Sequence, residues 1–94
     1  MAIVHINKEN FDEIIVNGDK PVLADFFATW CGPCKMLSPI LEQIEQEMSD
    51  KIVVAKIDID ECMDIAQEYG IMSVPTMILL LERLLVFLDL CFYI

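Results

Sequence analysis

The segment 21–28, "PVLADFFA", is a nearly continuous run of apolar residues that contains a single carboxylate. Such a strand needs cover on both faces, which is typical of a central strand in a largely parallel sheet. A second apolar segment at 51–59, "KIVVAKIDI", predicts another central strand, and shorter ones predict strands at 2–6 and 74–81. These four segments predict the sheet of an α/β protein.

Apolar residues recur at helical spacing between these strands, which predicts three helices. They are predicted at 7–18, with Asn7 as N-cap and Gly18 past its end, at 34–48, and at 60–70, closed by Gly70. The order β-α-β-α-β-α-β is typical of an α/β sandwich. Ninety-four residues suffice for one domain with a single core, and an apolar fraction of 56% favours a packed interior.

The charge of the chain excludes some classes of partner. The chain contains sixteen Asp and Glu and six Lys and Arg, which gives a net charge of −10. This charge is unfavourable for binding nucleic acid or an anionic membrane surface. The first ten residues, "MAIVHINKEN", lack the basic and apolar regions of a secretory signal, so we expect a protein of the reducing cytosol.

Cys31 and Cys34 enclose Gly and Pro in the motif "WCGPC". A structural zinc site needs four ligands, usually two close pairs, whereas Cys62, Cys91 and the sole histidine, His5, stand apart. A purely structural disulfide is also disfavoured, because so short a loop removes little entropy from the unfolded chain. The remaining interpretation is a redox-active pair, and no metal or organic cofactor is expected.

The position of the pair supports this interpretation. A strand leads to the motif and a helix begins within it, so Cys31 is expected at a helix N-terminus, where unpaired N–H groups favour a thiolate. Pro33 suits a first helical turn. Cys34 follows one turn later on the same face. We therefore expect Cys31 to be an exposed nucleophile and Cys34 a buried resolving thiol.

The run "DFFATWCGPCK", followed by "KIDID" and "YGIMSVPT", resembles the thioredoxin family in order and spacing over about residues 2–80. The resemblance implies the thioredoxin fold, a central mixed sheet flanked by helices. It implies a thiol-disulfide oxidoreductase that reduces protein disulfides through a reversible Cys31–Cys34 dithiol, without a cofactor. It also implies a thioredoxin reductase as a partner.

Asp25 lies within the apolar strand, where burial without a partner raises the pKa of a carboxyl group. The alternative is an Asp exposed at the end of the strand. By resemblance, Asp25 is the general acid/base that deprotonates Cys34, and Lys56 is the lysine that tunes it. The alternative for Lys56 is an exposed side chain that carries its charge to water.

Pro75 begins a predicted strand, a position where an ordinary trans proline is tolerated. The resemblance instead implies a cis proline beside the two cysteines, with the backbone before it pairing with an extended substrate segment. Trp30 is either a core residue or a cover for the reactive thiol. The substrate-binding surface implied by the resemblance comprises Trp30, Gly32, Pro33, Met72, Ser73, Val74 and Pro75.

Cys62 is expected to take no part in this chemistry, because its acidic neighbours Glu61 and Asp64 raise the pKa of a thiol. We interpret it as an inert core residue or a minor oxidation site.

The resemblance ends near residue 80, so we divide the chain into a thioredoxin-like domain at 1–80 and an atypical apolar tail at 81–94, "LERLLVFLDLCFYI". Relative to the family, the chain is expected to be C-terminally truncated, to lack the last helix and to have an altered or missing last strand. A truncated or frame-shifted gene would explain this change of composition.

The sequence of the tail leaves three structural interpretations open. Glu82, Arg83 and Asp89 disfavour a membrane span, since each would cost about 2.5 to 3.5 kcal/mol near the centre of a bilayer. A substitute edge strand at 84–90, or a segment for homodimerisation, exchange or aggregation, fits an apolar strand better. A second hypothesis for the whole chain follows, namely a binding or assembly module with impaired catalysis.

Overall fold

A computed structural model of the protein describes residues 3–16, 18–81 and 84–88. Its five strands are β1 (Val4–His5), β2 (Val22–Phe27), β3 (Val53–Asp58), β4 (Thr76–Leu81) and β5 (Leu84–Leu88). Two α-helices, α1 (Gly32–Met48) and α2 (Met63–Glu68), and a short π-helix at Asp12–Val16 lie between the strands. The α/β class predicted from the sequence is confirmed.

The strands form one sheet in the order β1-β3-β2-β4-β5. β3 is parallel to both β1 and β2, whereas β4 is antiparallel to both β2 and β5. The sheet is therefore mixed, as the family resemblance implies, and β2 lies at its centre. This arrangement brings the end of β2, the end of β3 and the start of β4 to the same edge of the sheet.

The side chains of β2 alternate between two apolar layers, because successive residues of a strand point to opposite faces. On one face, Leu23 packs with Leu37 and Leu41 of α1. On the other face, Phe26 packs in a cluster with Ile65 of α2. Both layers cover β2, which accounts for its nearly continuous apolar sequence.

The first predicted helix, 7–18, differs from the structure, which has turns at residues 8–10 and a π-helix at Asp12–Val16. Asn7 does act as an N-terminal cap: its Oδ1 accepts from the N–H of Asn10 at 2.9 Å, and the Oδ1 of Asn10 accepts from the N–H of Asn7 at 2.8 Å. These reciprocal bonds resemble a capping box, and the carbonyl of Asn7 accepts from the N–H of Phe11 at 3.1 Å, although continuous helix begins only after residue 10. At Gly18 the chain passes so close to the carbonyl of Ile14 that a Cβ would clash with it.

The helix predicted at 60–70 is shorter in the structure. The Oδ1 of Asp58 accepts from the N–H of Asp60 at 2.8 Å, and the carbonyl of Asp58 accepts from the N–H of Cys62 at 2.8 Å. These bonds form a turn, and α2 begins only at Met63. Gly70 follows the helix with φ of +67°, as its prediction as a helix stop requires.

The predicted tail, 81–94, falls largely on residues 82–83 and 89–94, which lie outside the described residues. The described part continues from β4 into β5, and the register pairs Leu81 with Leu84 and Met77 with Leu88. The expected loss of a last helix also concerns residues outside the described ones. No helix in the described part of the chain is long and apolar enough to cross a membrane.

Candidate active site

Cys31 and Cys34 form a disulfide at the N-terminus of α1, with their Cα atoms 5.3 Å apart. Cys31 is the N-cap residue, with the extended backbone (φ −90°, ψ 112°) that precedes a helix. Its Sγ accepts a hydrogen bond from the N–H of Cys34 at 3.2 Å. Pro33 lies in the first turn, where its missing N–H leaves no bond unmade. The predicted strand, turn and helix onset are therefore present.

The expectation that Cys31 is exposed is wrong for this oxidised form. Cys31 is 4% exposed and Cys34 is 2% exposed, and both pack with the buried Ala28. Phe27, Ile59 and Val74 pack against this small cluster from neighbouring elements. Reaction at Cys31 therefore has to start from a site that is largely covered.

Asp25 lies on β2 with its side chain fully buried. Among the described residues, neither of its carboxylate oxygens has a hydrogen-bond partner. Burial raises the pKa of this carboxyl group from 3.8 to about 6, and the positive charge of Lys56 partly opposes that rise. The alternative of an Asp exposed at the strand end is wrong.

Lys56 lies on β3 directly opposite Asp25 in the strand register. Its ammonium donates a hydrogen bond to Ser38 Oγ at 3.0 Å and lies 4.6 Å from the centre of the Phe27 ring. The side chain is half-buried, so the alternative of a lysine turned wholly to water is wrong. Sequence reasoning missed Ser38, and the one available signal was its position one helical turn after Cys34.

Trp30 is not a core residue, because its side chain is 68% exposed. Its Nε1–H donates to Asp60 Oδ2 at 3.0 Å, which ties the ring to the turn after β3. Gly32 and Pro33 are also exposed. Asp60 was missed by sequence reasoning, because nothing in the pattern shows that the turns after β2 and β3 meet.

The segment before β4 also packs against the disulfide cluster. The peptide bond between Val74 and Pro75 is cis, as the resemblance implies, and Pro75 is buried. Val74 packs against the cysteine cluster. Met72 is 96% exposed, and Ser73 is also exposed and accepts a bond from Thr76 Oγ at 2.6 Å. Val74 therefore reaches the cysteines, whereas the Met72 side chain extends into solvent.

A cleft of about 240 Å³ opens beside Cys34 and leads toward Lys56. It provides a way for solvent to approach Cys34. The lining residues are Phe27, Ala28, Thr29, Cys34, Lys35, Ser38 and Lys56. In the described part of the chain, no three His, Cys, Asp or Glu side chains come together to hold a metal ion.

Cys62 lies apart from the site, buried at the N-terminus of α2, with its Sγ 3.6 Å from the carbonyl of Ile6. The pKa of its thiol is raised by burial first and then by the charges of Glu61 and Asp58, whereas Lys8 lowers it. The predicted effect of Glu61 is confirmed. The second acidic residue that raises the pKa of Cys62 is Asp58 and not the predicted Asp64. Asp64 forms an ion pair with Lys8 at 3.3 Å.

Comparisons with known proteins agree with this site. The family model described as Thioredoxin matches residues 2–84. The chain is 50% identical to a thioredoxin of Bacillus subtilis over 80 residues, which cover 85% of this chain and 75% of that protein. It is 38% identical to a thioredoxin of Haemophilus influenzae over 78 residues, which cover 83% of this chain and 73% of that protein.

A third relative, the bifunctional thioredoxin reductase/thioredoxin of Mycobacterium leprae, is 45% identical over 76 residues, which cover 81% of this chain and 17% of that protein. The match of the family model spans most of the chain and includes both cysteines, Asp25 and the cis proline. With its Cys31–Cys34 pair at the start of α1, the chain belongs to the thioredoxin family and is a thiol-disulfide oxidoreductase that reduces protein disulfides.

Proposed function

We propose that Cys31 is the attacking thiol of this reductase and Cys34 the resolving thiol. One observation carries this assignment: the N–H of Cys34 points at Cys31 Sγ from the first turn of α1. In the reduced protein the same N–H stabilises negative charge on that sulfur. The first step is then attack of the Cys31 thiolate on a substrate disulfide, which forms a mixed disulfide and releases one substrate thiolate.

Asp25 assists the second step in this proposal. Its ionised carboxyl takes the proton of the Cys34 thiol, and the resulting thiolate attacks Cys31 Sγ. The mixed disulfide breaks, the second substrate thiolate leaves, and the Cys31–Cys34 disulfide remains. Two electrons have then passed from the protein to the substrate. Support comes from the burial of Asp25 and from its pKa of about 6, which lets it exchange a proton near neutral pH.

We propose that the substrate lies across the exposed apolar groups around the disulfide. Trp30 and Met72 are large apolar side chains exposed to solvent, and Val74 packs against the cysteine cluster. An extended substrate segment would pair with the backbone that precedes Pro75. The full surface comprises Trp30, Gly32, Pro33, Met72, Ser73, Val74 and Pro75.

A thioredoxin reductase in the cytosol is the proposed source of electrons. The support is a relative in which a thioredoxin reductase and a thioredoxin are one bifunctional protein. The experiment is reduction of the oxidised chain by a bacterial thioredoxin reductase with NADPH. Oxidation of NADPH that requires both Cys31 and Cys34 supports this partner, and no oxidation with any such reductase argues against it.

Reduction of insulin with dithiothreitol as electron donor tests the cysteine assignment. Cys31→Ser should abolish turnover, and Cys34→Ser should accumulate a mixed disulfide at Cys31. The matched control is Cys62→Ser, which removes a buried thiol away from the site and should keep turnover. A folded Cys31→Ser variant as active as the unchanged chain would refute the assignment.

We also propose a role for the tail, as a segment that joins two copies of the chain. β5 is the last strand of the sheet order, and its residues Leu84–Leu88 are all apolar. Within the described part of the chain it has a strand neighbour on one side only. An edge strand of this composition favours pairing with another chain. The most symmetric arrangement is antiparallel pairing of two β5 strands across a twofold axis.

Light scattering after size-exclusion chromatography tests this role, with Val86→Lys as the variant and Lys51→Glu, on the exposed turn before β3, as the control. A dimer that dissociates only in Val86→Lys supports the proposal, and a monomer at high concentration contradicts it. Rapid alkylation of Cys31 in the dimer would identify an active enzyme. Resistance to alkylation would favour a binding or assembly module.

A further inference from the structure

Ser38 links two groups of the active site through its hydroxyl. Its Oγ accepts a hydrogen bond from Lys56 Nζ at 3.0 Å and donates one to the carbonyl of Cys34 at 3.3 Å. The side chain is half-buried and lines the cleft beside Cys34. A serine that bonds the carbonyl four residues earlier keeps its hydroxyl fixed against the helix. Ser38 is therefore a fixed acceptor for the Lys56 ammonium.

The Lys56 side chain is held at two points, by Ser38 and by the face of the Phe27 ring. An unrestrained lysine has a long, flexible stem and moves its charge toward the best available partner. The nearest such partner in the strand register is Asp25, whose oxygens have no hydrogen-bond partner among the described residues. The Lys56 ammonium is thus bonded to a neutral hydroxyl, although the buried Asp25 carboxyl lies opposite it in the strand register.

Other charged and titratable groups surround the pair on each side. β1 presents His5 opposite Lys56, whereas β4 presents the uncharged Met77 opposite Asp25. β3 carries Asp58 two residues after Lys56. From α1, the remaining groups that line the cleft beside Cys34 or the neighbouring groove of about 420 Å³ are Cys34, Lys35, Glu42 and Glu45. Among all these groups, the lysine is the one whose charge acts appreciably on Asp25.

We propose that Ser38 is a positioning residue for the dithiol reaction, whose hydroxyl holds the Lys56 ammonium away from Asp25 and so sets the pH at which Asp25 exchanges its proton. This inference rests on the acid/base role proposed for Asp25. It adds a residue that touches neither the substrate nor the reacting sulfur atoms. Loss of the hydroxyl would release the ammonium toward the carboxyl, where an opposite charge favours the ionised form.

The titration of Asp25 in the oxidised protein tests this proposal directly. The carboxyl carbon is followed by ¹³C NMR against pH, and its signal is assigned by its loss in Asp25→Asn. In Ser38→Ala the midpoint should move about one pH unit lower. Ser38→Thr keeps the hydroxyl and is the matched control, with a midpoint near that of the unchanged chain. In a Lys56→Met background, Ser38→Ala should leave the midpoint where it is.

Each outcome decides the proposal. A midpoint in Ser38→Ala that stays or rises overturns it, as does a midpoint in Ser38→Thr that falls equally far. An effect of Ser38→Ala that persists with Lys56→Met shows action through the helix and also overturns it. Insulin reduction by Asp25→Asn is measured in parallel. Full activity of that variant at every pH refutes the role of Asp25 itself, whereas the NMR result still reports on Ser38.

Discussion

Asp25 lies directly opposite Lys56 across the pairing of β2 with β3, and yet the two side chains, both in the described part of the chain, form no ion pair. The carboxyl is fully buried, and the ammonium is bonded to Ser38. An ion pair at this position would hold the carboxyl ionised. Its absence leaves burial as the larger influence on the pKa of Asp25, which therefore rises to about 6.

Asp25→Asn should stabilise the oxidised protein at neutral pH. In the unfolded chain the carboxyl ionises near 3.8, and in the folded protein near 6. The folded state therefore binds the proton more tightly, so Asp25 lowers the free energy of unfolding progressively as the pH rises from about 4 to about 6. Above that range the variant should gain about 3 kcal/mol over the unchanged chain.

The measurement is urea unfolding of the oxidised proteins between pH 4 and pH 8. The gain should fall to less than about 1 kcal/mol at pH 4, where the folded state holds the proton and the unfolded state has lost it in about half of the molecules. Asp19→Asn, which removes an exposed carboxylate, is the matched control. An equal gain at both ends of this pH range would contradict the explanation by proton binding.

Cys62 should react slowly with iodoacetamide in the folded, reduced protein. Its thiol is 2% exposed, and burial, assisted by Glu61 and Asp58, raises its pKa, so little thiolate forms at pH 8. Mass spectrometry of the peptides should show labelling of Cys31 long before Cys62. In urea the difference should vanish, and early labelling of Cys62 in the folded chain would show that its surroundings open readily.

Leu41→Ala should destabilise the fold by about 2 to 5 kcal/mol. The side chain is fully buried where α1 packs on β2 and β3, so truncation leaves a cavity between the helix and the sheet. Met36→Ala is a matched control on the same helix, because Met36 is 67% exposed and should change stability by less than about 0.5 kcal/mol. Thermal unfolding measures both, and similar shifts in the two variants would place Leu41 outside the core.

Asp60→Ala should loosen Trp30, because the ring loses the acceptor for its Nε1–H. A hydrogen bond of this kind contributes about 1 kcal/mol, so kcat/KM for a protein disulfide should fall about fivefold while the fold is retained. Trp30 is the single tryptophan of the chain, so a faster decay of its fluorescence anisotropy would show that the ring moves more freely. Asp60→Asn retains an acceptor oxygen and should stay near full activity, and a loss there as large as in Asp60→Ala would assign the effect to charge.

The sequence allowed the prediction of features that depend on short segments. The helix onset at Cys31, the end of α2 before Gly70 and the burial of Asp25 all follow from a few adjacent residues. The cis bond at Pro75 came only from the family resemblance. Features that depend on distant contacts were missed, such as the bond between Ser38 and Lys56, which joins α1 to β3.

The exposure predicted for Cys31 was wrong for a related reason. Helix geometry places its Sγ at the helix N-terminus, but residues distant in sequence, Ile59 and Val74, pack against the cluster that contains it. Likewise, the spacing of apolar residues predicted a regular helix at 7–18, because it does not distinguish the π-helical geometry of Asp12–Val16 from an α-helix.

The mixed order of the sheet also fixes when the site forms during synthesis. Cys31 and Cys34 follow β2, whereas the segment that covers them, with Val74 and Pro75, precedes β4 and leaves the ribosome much later. A nascent chain that ends before β4 holds both cysteines on a sheet that lacks one neighbour of β2. The contact of Val74 with the cysteine cluster can therefore form only after the segment before β4 has been synthesised.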